Sequence, residues 1–322
     1  TPMDEEVMER VQEAMRDSFA NSSARYRIGL DAKNVIERST QSIKECLRIP
    51  STHRLVFTSG GTESNNLFIK GLCFPDKKTS FLGLEHPSVL ESLKTFSEYG
   101  NEPISLLPFQ REGRLDLSSL SILSENRVRL LCLSHVNNEL GTVNDPLNII
   151  SALARESPQT KLFLDGVQAI GKIKLDPEIW KGLAGYSISG HKIHGPKGIG
   201  LLVYNSNLVL NPQMHGGKQQ LGIRSGTLAL PLIVGLERAI KQAVEQTENT
   251  QKLFQILCDY LVQGLKAMQE RINDLKIHFN SSIHADEIGQ SPGILNFSFP
   301  PVEGEVILHH LENKDIFVGL GS

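Results

Sequence analysis

The stretch Leu183-Ala-Gly-Tyr-Ser-Ile-Ser-Gly-His-Lys-Ile-His-Gly-Pro-Lys-Gly-Ile-Gly-Leu-Leu-Val-Tyr204 decides how the chain is read. Residues 183–188 are apolar and β-leaning, and residues 199–204 are a second such run. Between them lie Ser189-Gly-His-Lys192 and a turn at Gly195-Pro196, so two strands flank one rigidly held lysine. A lysine acts covalently only as the neutral amine, with its pKa of roughly 10.4 lowered by its surroundings. Taken alone, the stretch fits a solvated Lys192 or Lys197 equally well, and the rest of the chain must decide.

Working outward, strands and helices alternate. Residues 54–58 form a strand that runs into Ser59-Gly-Gly-Thr-Glu-Ser-Asn-Asn66 and an apolar helix from Leu67. A glycine loop at a helix N-terminus favours an anion, because free N–H groups and the helix dipole both point at it. The loop matches neither a P-loop nor G-x-G-x-x-G, and a tight turn with a good N-cap explains it as well. Strands are expected at 80–84, 129–136 and 161–164. They end in Glu85-His86-Pro87, Asn137-Asn138-Glu139 and Asp165-Gly-Val-Gln168. Helices are expected at 88–99 and 146–155, with a first helix capped by Thr1 and carrying Pro2 at its first position. The pattern predicts an α/β fold with a mainly parallel, doubly wound sheet whose ligand crevice lies along the strands' carboxyl edge.

Beyond the lysine turn, Met214 to Thr227 is a glycine-rich loop holding Arg224. Apolar spacing from Leu232 to Met268 predicts one long helix, or two with a break at 247–249. Strands at 277–279 and 294–299, a helix at 303–313 and a strand beginning at 316 make a smaller α+β domain that is expected to be incomplete. The expected division is a large cofactor domain at 1–246 and a small C-terminal domain at 247–322. The first few residues are the one part that could pack with the small domain.

Composition narrows the function. The 322 residues are 39% hydrophobic and 21% charged with net charge −3, which gives no reason to invoke nucleic acid or an anionic membrane. No apolar run approaches the roughly 20 residues that cross a bilayer. Cys46, Cys73, Cys132 and Cys258 are far apart, which suits a reducing compartment, the cytoplasm, and neither a zinc site nor a disulfide framework. His191 with His194, and His309 with His310, lack a completing carboxylate or cysteine, so no metal is expected. What the sheet edge gathers is a phosphate loop (Gly61, Thr62), His86, Asn138, Asp165 and Lys192. Those are the parts that hold pyridoxal 5'-phosphate: an amine for its aldehyde, a carboxylate for its pyridine nitrogen, a ring to stack and donors for its phosphate.

These segments, in this order, resemble the cysteine desulfurases of the NifS and IscS group, within the class V aminotransferase family of fold-type I. The resemblance covers essentially the whole chain. It runs through Phe57-Thr-Ser-Gly-Gly-Thr-Glu-Ser-Asn-Asn66, His135-Val-Asn-Asn-Glu139, Asp165-Gly-Val-Gln168, Ser189-Gly-His-Lys192 with Gly195-Pro-Lys-Gly-Ile-Gly200, and Arg224-Ser-Gly-Thr227. The last of these separates the group from its SufS-like relatives. The resemblance implies that Lys192 joins the cofactor covalently and later moves the substrate Cα proton, with His86 stacked on the ring and assisting. It implies Asp165 at the pyridine nitrogen, and Gln168 and Asn138 at the ring oxygen, Asn138 also nearing the substrate carboxylate. Gly61, Thr62, Ser189 and His191 would hold the phosphate, joined by Thr227 from a partner subunit, hence a homodimer. The implied reaction removes sulfur from L-cysteine, giving alanine and an enzyme persulfide for a sulfur acceptor in iron–sulfur cluster assembly or tRNA thiolation.

Some features depart from that pattern. The family's nucleophilic cysteine follows a Gly-Ser pair like Gly321-Ser322, where the sequence stops, and its carboxylate-binding arginine and opening Asp-x-x-Ala-Thr segment are not present. All four cysteines read as structural. Tyr26, Gln220 and His194 replace the more usual His, Glu and Tyr or Phe. The alternatives are another class V lyase or aminotransferase, and a cofactor-binding homologue that lacks the thiol.

Overall fold

The computed structural model describes residues 1–72, 78–106, 113–283 and 289–321. In chain order these form α1 (Glu5–Asp17), α2 (Arg27–Cys46), β1 (His53–Thr58), α3 (Gly61–Leu72), β2 (Thr79–Leu82), α4 (Pro87–Lys94) and β3 (Ile104–Leu106). There follow α5 (Ser121–Glu125), β4 (Leu130–Ser134), α6 (Pro146–Glu156), β5 (Lys161–Asp165), β6 (Leu183–Ser189), β7 (Gly200–Asn205) and α7 (Leu230–Arg271). The chain continues through β8 (His278–Phe279), β9 (Phe297–Ser298) and α8 (Gly304–Glu312).

Seven strands make one sheet in the order β1-β7-β6-β5-β4-β2-β3. Strands β6, β5, β4, β2 and β3 are parallel, and β7 runs against both β6 and β1. Since β1 opposes β7, it points the same way as β6, and the ends of β1, β2, β4, β5 and β6 all reach one edge. The central strands read as unbroken apolar runs because both faces are covered: β4 and β6 are buried at every residue. One face packs Leu131, Leu133, Leu164 and Tyr186 towards α6 and α7, and the other packs Cys132 and Phe163 under α3, whose Phe68 stacks on Phe163.

Several expectations are corrected in detail. Asp4, not Thr1, caps α1, because its carboxylate accepts from Glu6 N–H at 3.0 Å. The expected helix at 88–99 stops at Lys94, and Ser97–Tyr99 is a separate 3₁₀ turn closed by left-handed Gly100. Strand β3, too short for a periodic signal, is an addition. Residues 316–321 form no strand, and Ser322 lies outside the described residues, as does Cys73. Helix α7 is unbroken: Thr247 Oγ1 bonds back to Ala243 O at 2.8 Å, so the polar 247–249 stretch sits within it. The expected domain boundary at 246/247 therefore falls inside a helix. The N-terminus is tied to the first part of that helix, with Arg238 bonding Glu6 at 2.6 Å and Gln242 bonding Asp4 at 3.1 Å.

The glycine after Asp165 is set by close approach. A Cβ on Gly166 would lie 2.0 Å from Cε1 of the wholly buried Tyr186, whose hydroxyl bonds His135 Nδ1 at 2.8 Å. Tyr186 cannot retreat without breaking that bond. Gly166→Ala is expected to cost about 2–3 kcal/mol of stability by overpacking, measured by denaturant unfolding against the wild type.

Candidate active site

The site is built on the sheet edge where the parallel strands end. Ser134 of β4 stands opposite Asp165, and Asp165 opposite Ser187 of β6. Two residues after Ser187, Ser189 ends β6, and the 3₁₀ turn Gly190–Lys192 carries the lysine out over the edge. Strand β7 starts from the same place, with Gly200 opposite both Ser189 and Thr58. A Cβ on Gly200 would lie 2.6 Å from the Gly60 backbone, so the glycine loop and the lysine turn are in contact.

Asp165 is 7% exposed, and its carboxyl oxygens accept from three donors. Asn65 Nδ2 donates to Oδ2 at 2.8 Å, and Val167 N–H and Ser187 Oγ donate to Oδ1 at 3.0 and 3.4 Å. Asn65 Nδ2 also bonds Ser88 Oγ at 2.8 Å, and Ser88 Oγ meets His86 Nδ1 at 2.7 Å. A line of hydrogen bonds thus joins the acid to the histidine across two helix starts. His86 is the N-cap of α4, its Nδ1 accepting from Ser88 N–H, which fixes an otherwise exposed ring at the edge.

Gly61 opens α3, and a Cβ there would lie 2.6 Å from Val167 Cγ2. The first-turn N–H groups of Gly61 and Thr62 have no acceptor among the described residues, and Thr62 is exposed beside them. Thr58 Oγ1 bonds Ser64 Oγ at 2.7 Å and Gly60 O at 3.1 Å, bracing the loop. Glu63, in the same turn, pairs with Arg224 through contacts of 2.8 and 3.2 Å and accepts from Ser59 N–H at 2.6 Å. Burial works against the Glu63 charge, but Arg224 and Ser59 outweigh it and hold the carboxyl below its ordinary range.

The remaining expected residues lie in three places. Ser189 is buried and its hydroxyl meets His191 Nδ1 at 3.0 Å, while burial and the Lys192 charge lower the basicity of His191. Lys192 and Gln168 are half-buried beside them. Asn138 is half-buried after β4 and bonds nothing among the described residues, in contrast to Asn137, which is buried and bonds Leu84 O and two backbone N–H groups. Thr227 stands exposed at the end of a loop fastened to the edge strand. There Gln220 bonds both the N–H and the C=O of Phe57, at 2.6 and 2.9 Å. A Gln can pair both groups, whereas a Glu would set an oxygen against the carbonyl.

The chain matches the family described as aminotransferase class-V over residues 1–322. It belongs to that family. Among curated relatives it is 33% identical to "Cysteine desulfurase IscS" of Dictyoglomus turgidum, over all of this chain and 79% of that one. It is 36% identical to the protein of that name from Rickettsia africae, over all of this chain and 76% of that one. Among solved structures, a "NIFS-LIKE PROTEIN" superposes with TM-score 0.90 at 28% identity, over 99% of this chain and 85% of that one. DndA from Streptomyces lividans superposes with TM-score 0.80 at 30% identity, over 97% and 86%. The fold is thus that of the NifS-like enzymes, and the cofactor of the family is pyridoxal phosphate.

The residues of this class V chain fit that cofactor. The open N–H groups at Gly61 suit a phosphate, the lysine is at hand, and the buried Asn65 Oδ1 has no partner of its own. Cys132 is buried in β4, Cys46 is in α2 and Cys258 in α7, so none of the three is at the strand ends that make the site. Among the described residues no cluster of three or more His, Cys, Asp or Glu could hold a metal.

Sequence reasoning missed the residues that hold the named ones. Asn65 lay inside a quoted motif with no role. Ser88 and Ser134 are ordinary serines in any linear pattern. Glu85 gave the clearest signal, as a carboxylate directly before His86. It is buried with Ser134 Oγ donating to it at 2.5 Å. Burial, together with the nearby Asp165 charge and against the Ser134 bond, pushes its carboxyl up to about 8. Because the folded-state value lies above the ordinary carboxylate value of 4.5, the folded form is favoured fully below that value. The advantage is lost as pH rises towards 8, at about 1.4 kcal/mol per unit. Glu85→Gln cannot ionise, so its stability should fall less than the wild type's between pH 5 and pH 8, as read from denaturant midpoints at the two pH values.

Proposed function

We propose that the chain is a pyridoxal phosphate-dependent cysteine desulfurase, taking sulfur from L-cysteine and leaving L-alanine. The observation that carries this reading is the joining of Lys192, Asp165 and the Gly61 helix start on one sheet edge, in a class V chain whose curated relatives bear that name. When bound, pyridoxal phosphate supplies an electron sink that weakens bonds at the amino acid's Cα.

Each residue's part follows from its surroundings. Lys192 holds the cofactor covalently and moves the Cα proton. Asp165, held in place by Asn65, Val167 and Ser187, faces the pyridine nitrogen and keeps it protonated. His86, locked as a helix cap, covers the ring and assists proton transfer. Gly61, Thr62, Ser189 and His191 grip the phosphate. Gln168 and Asn138 donate to the ring oxygen, and Asn138, with a free side chain, also serves the substrate carboxylate. Thr227 is exposed and unbonded among the described residues, which suits a group offered to the phosphate site of a second copy in a homodimer.

The sulfur half of the reaction needs a thiol that reaches the site, and Cys46, Cys132 and Cys258 are held in other elements. We assign persulfide formation to a cysteine like the one that follows a Gly-Ser pair in the family, with transfer onward to an acceptor for iron–sulfur clusters or tRNA thiolation. Free cysteines and the lack, among the described residues, of any helix long and apolar enough to cross a membrane are in keeping with work in the cytoplasm. The large domain at 1–246 would carry the cofactor, and residues 247–322 would belong to the smaller C-terminal domain.

The purified protein should be yellow, and borohydride should change its visible band. Lys192→Ala should lose the band and the release of alanine from L-cysteine, by at least about a thousandfold. A colourless wild type, or a yellow one that forms no alanine from L-cysteine, would overturn the reading.

A further inference from the structure

Lys172 has no part in the chemistry described so far, yet its side chain enters the site. Two turns after β5, closed by Ala169 N–H to Gly166 O at 2.9 Å and Lys172 N–H to Ala169 O at 3.0 Å, bring it back towards the sheet edge. There its Nζ donates to Gln168 Oε1. A carboxamide has one oxygen and one NH2, so engaging the oxygen leaves the NH2 as the free end of Gln168. Burial, aided by the charge of Lys192, brings the Lys172 ammonium down to about 8. Neither lysine is paired with a carboxylate among the described residues, although Asp165, His191 and His86 stand on the elements around them. A part-buried cation that holds an amide by its oxygen, with a second lysine near enough for its charge to act on the first, is an arrangement for an anionic oxygen.

We infer that Lys172 is a positioning residue of the cofactor site, taking the Gln168 oxygen so that the Gln168 NH2 is presented to the anionic oxygen on the cofactor ring. The inference rests on the reading of this edge as a pyridoxal phosphate site. Without Lys172 the Gln168 amide is free to turn its own oxygen towards that anion, which repels it. Arginine can keep the contact with the Gln168 oxygen; methionine fills the space and cannot.

Pyridoxal phosphate titrated into the cofactor-stripped chain, followed by its visible band, tests this. Lys172→Met should weaken uptake about tenfold, as for a lost hydrogen bond to a charged group, and move the band maximum. Lys172→Arg should stay within about threefold of the wild type with the band in place. Gln168→Leu removes the same contact from the other side. The double variant Lys172→Met with Gln168→Leu should be no worse than about twofold beyond Gln168→Leu alone, because the two act as one unit. Losses that multiply to about a hundredfold, or a Lys172→Met protein with wild-type uptake and band, would overturn the inference. A wild type that takes up no pyridoxal phosphate would instead overturn the functional reading on which it rests.

Discussion

A buried carboxylate at the end of β5 makes the demands that the rest of the site answers. Asp165 is nearly out of water, and a charge so placed is tolerated only when donors surround it. Asn65 from α3, Ser187 from β6 and the Val167 backbone provide them, and each comes from a different element. The acid therefore ties α3 and β6 to the end of β5. Through Ser88 it also reaches the cap of α4, so the angle at which His86 overhangs the edge depends on the same network. The neighbouring Glu85 shows the other side of this constraint. With one carboxylate already charged and water excluded, a second one close by is held towards its neutral form.

The anion loop is held in a comparable way from outside the sheet. Gln220 grips Phe57 at the edge of β1, and Arg224 pairs with Glu63 in the first turn of α3. The segment that carries Thr227 is thus anchored on both sides of the glycine turn. Arg224 also neutralises an acid that would otherwise sit in the turn proposed to take the phosphate. Gln220 can make both backbone contacts only because it is an amide.

Much of the fold was legible from periodicity. The apolar runs in β4, β5 and β6 read as strands because both faces are covered, and the intervening amphipathic stretches read as helices. Element ends were less so. Thr1 looked like a cap, but Asp4 has the geometry; the polar stretch around Thr247 looked like a break, but back-bonding and packing on α1 and α2 carry the helix through it. Of the site, Asp165, Lys192, His86 and Gly61 could be picked out because they are unusual residue types at strand ends or helix starts. Asn65, Ser88, Ser134 and Lys172 could not, since an asparagine or serine in a helix, a serine at a strand end or a lysine in a turn has no linear signature of the group it supports.

The sequence by itself determined the order of elements, the sheet edge on which the chemistry gathers and, through its ordered motifs, the family. Those follow from period-two and period-3.6 burial and from turn residues, which are local properties. Tertiary structure alone decided which side chains hold the others. Asn65 meets Asp165 and Arg224 meets Glu63 from far along the chain, and the charge of Lys192 acts on Lys172 because β5 and β6 lie side by side. Such contacts depend on strand register and helix placement, and these are properties of the packed sheet rather than of any one segment.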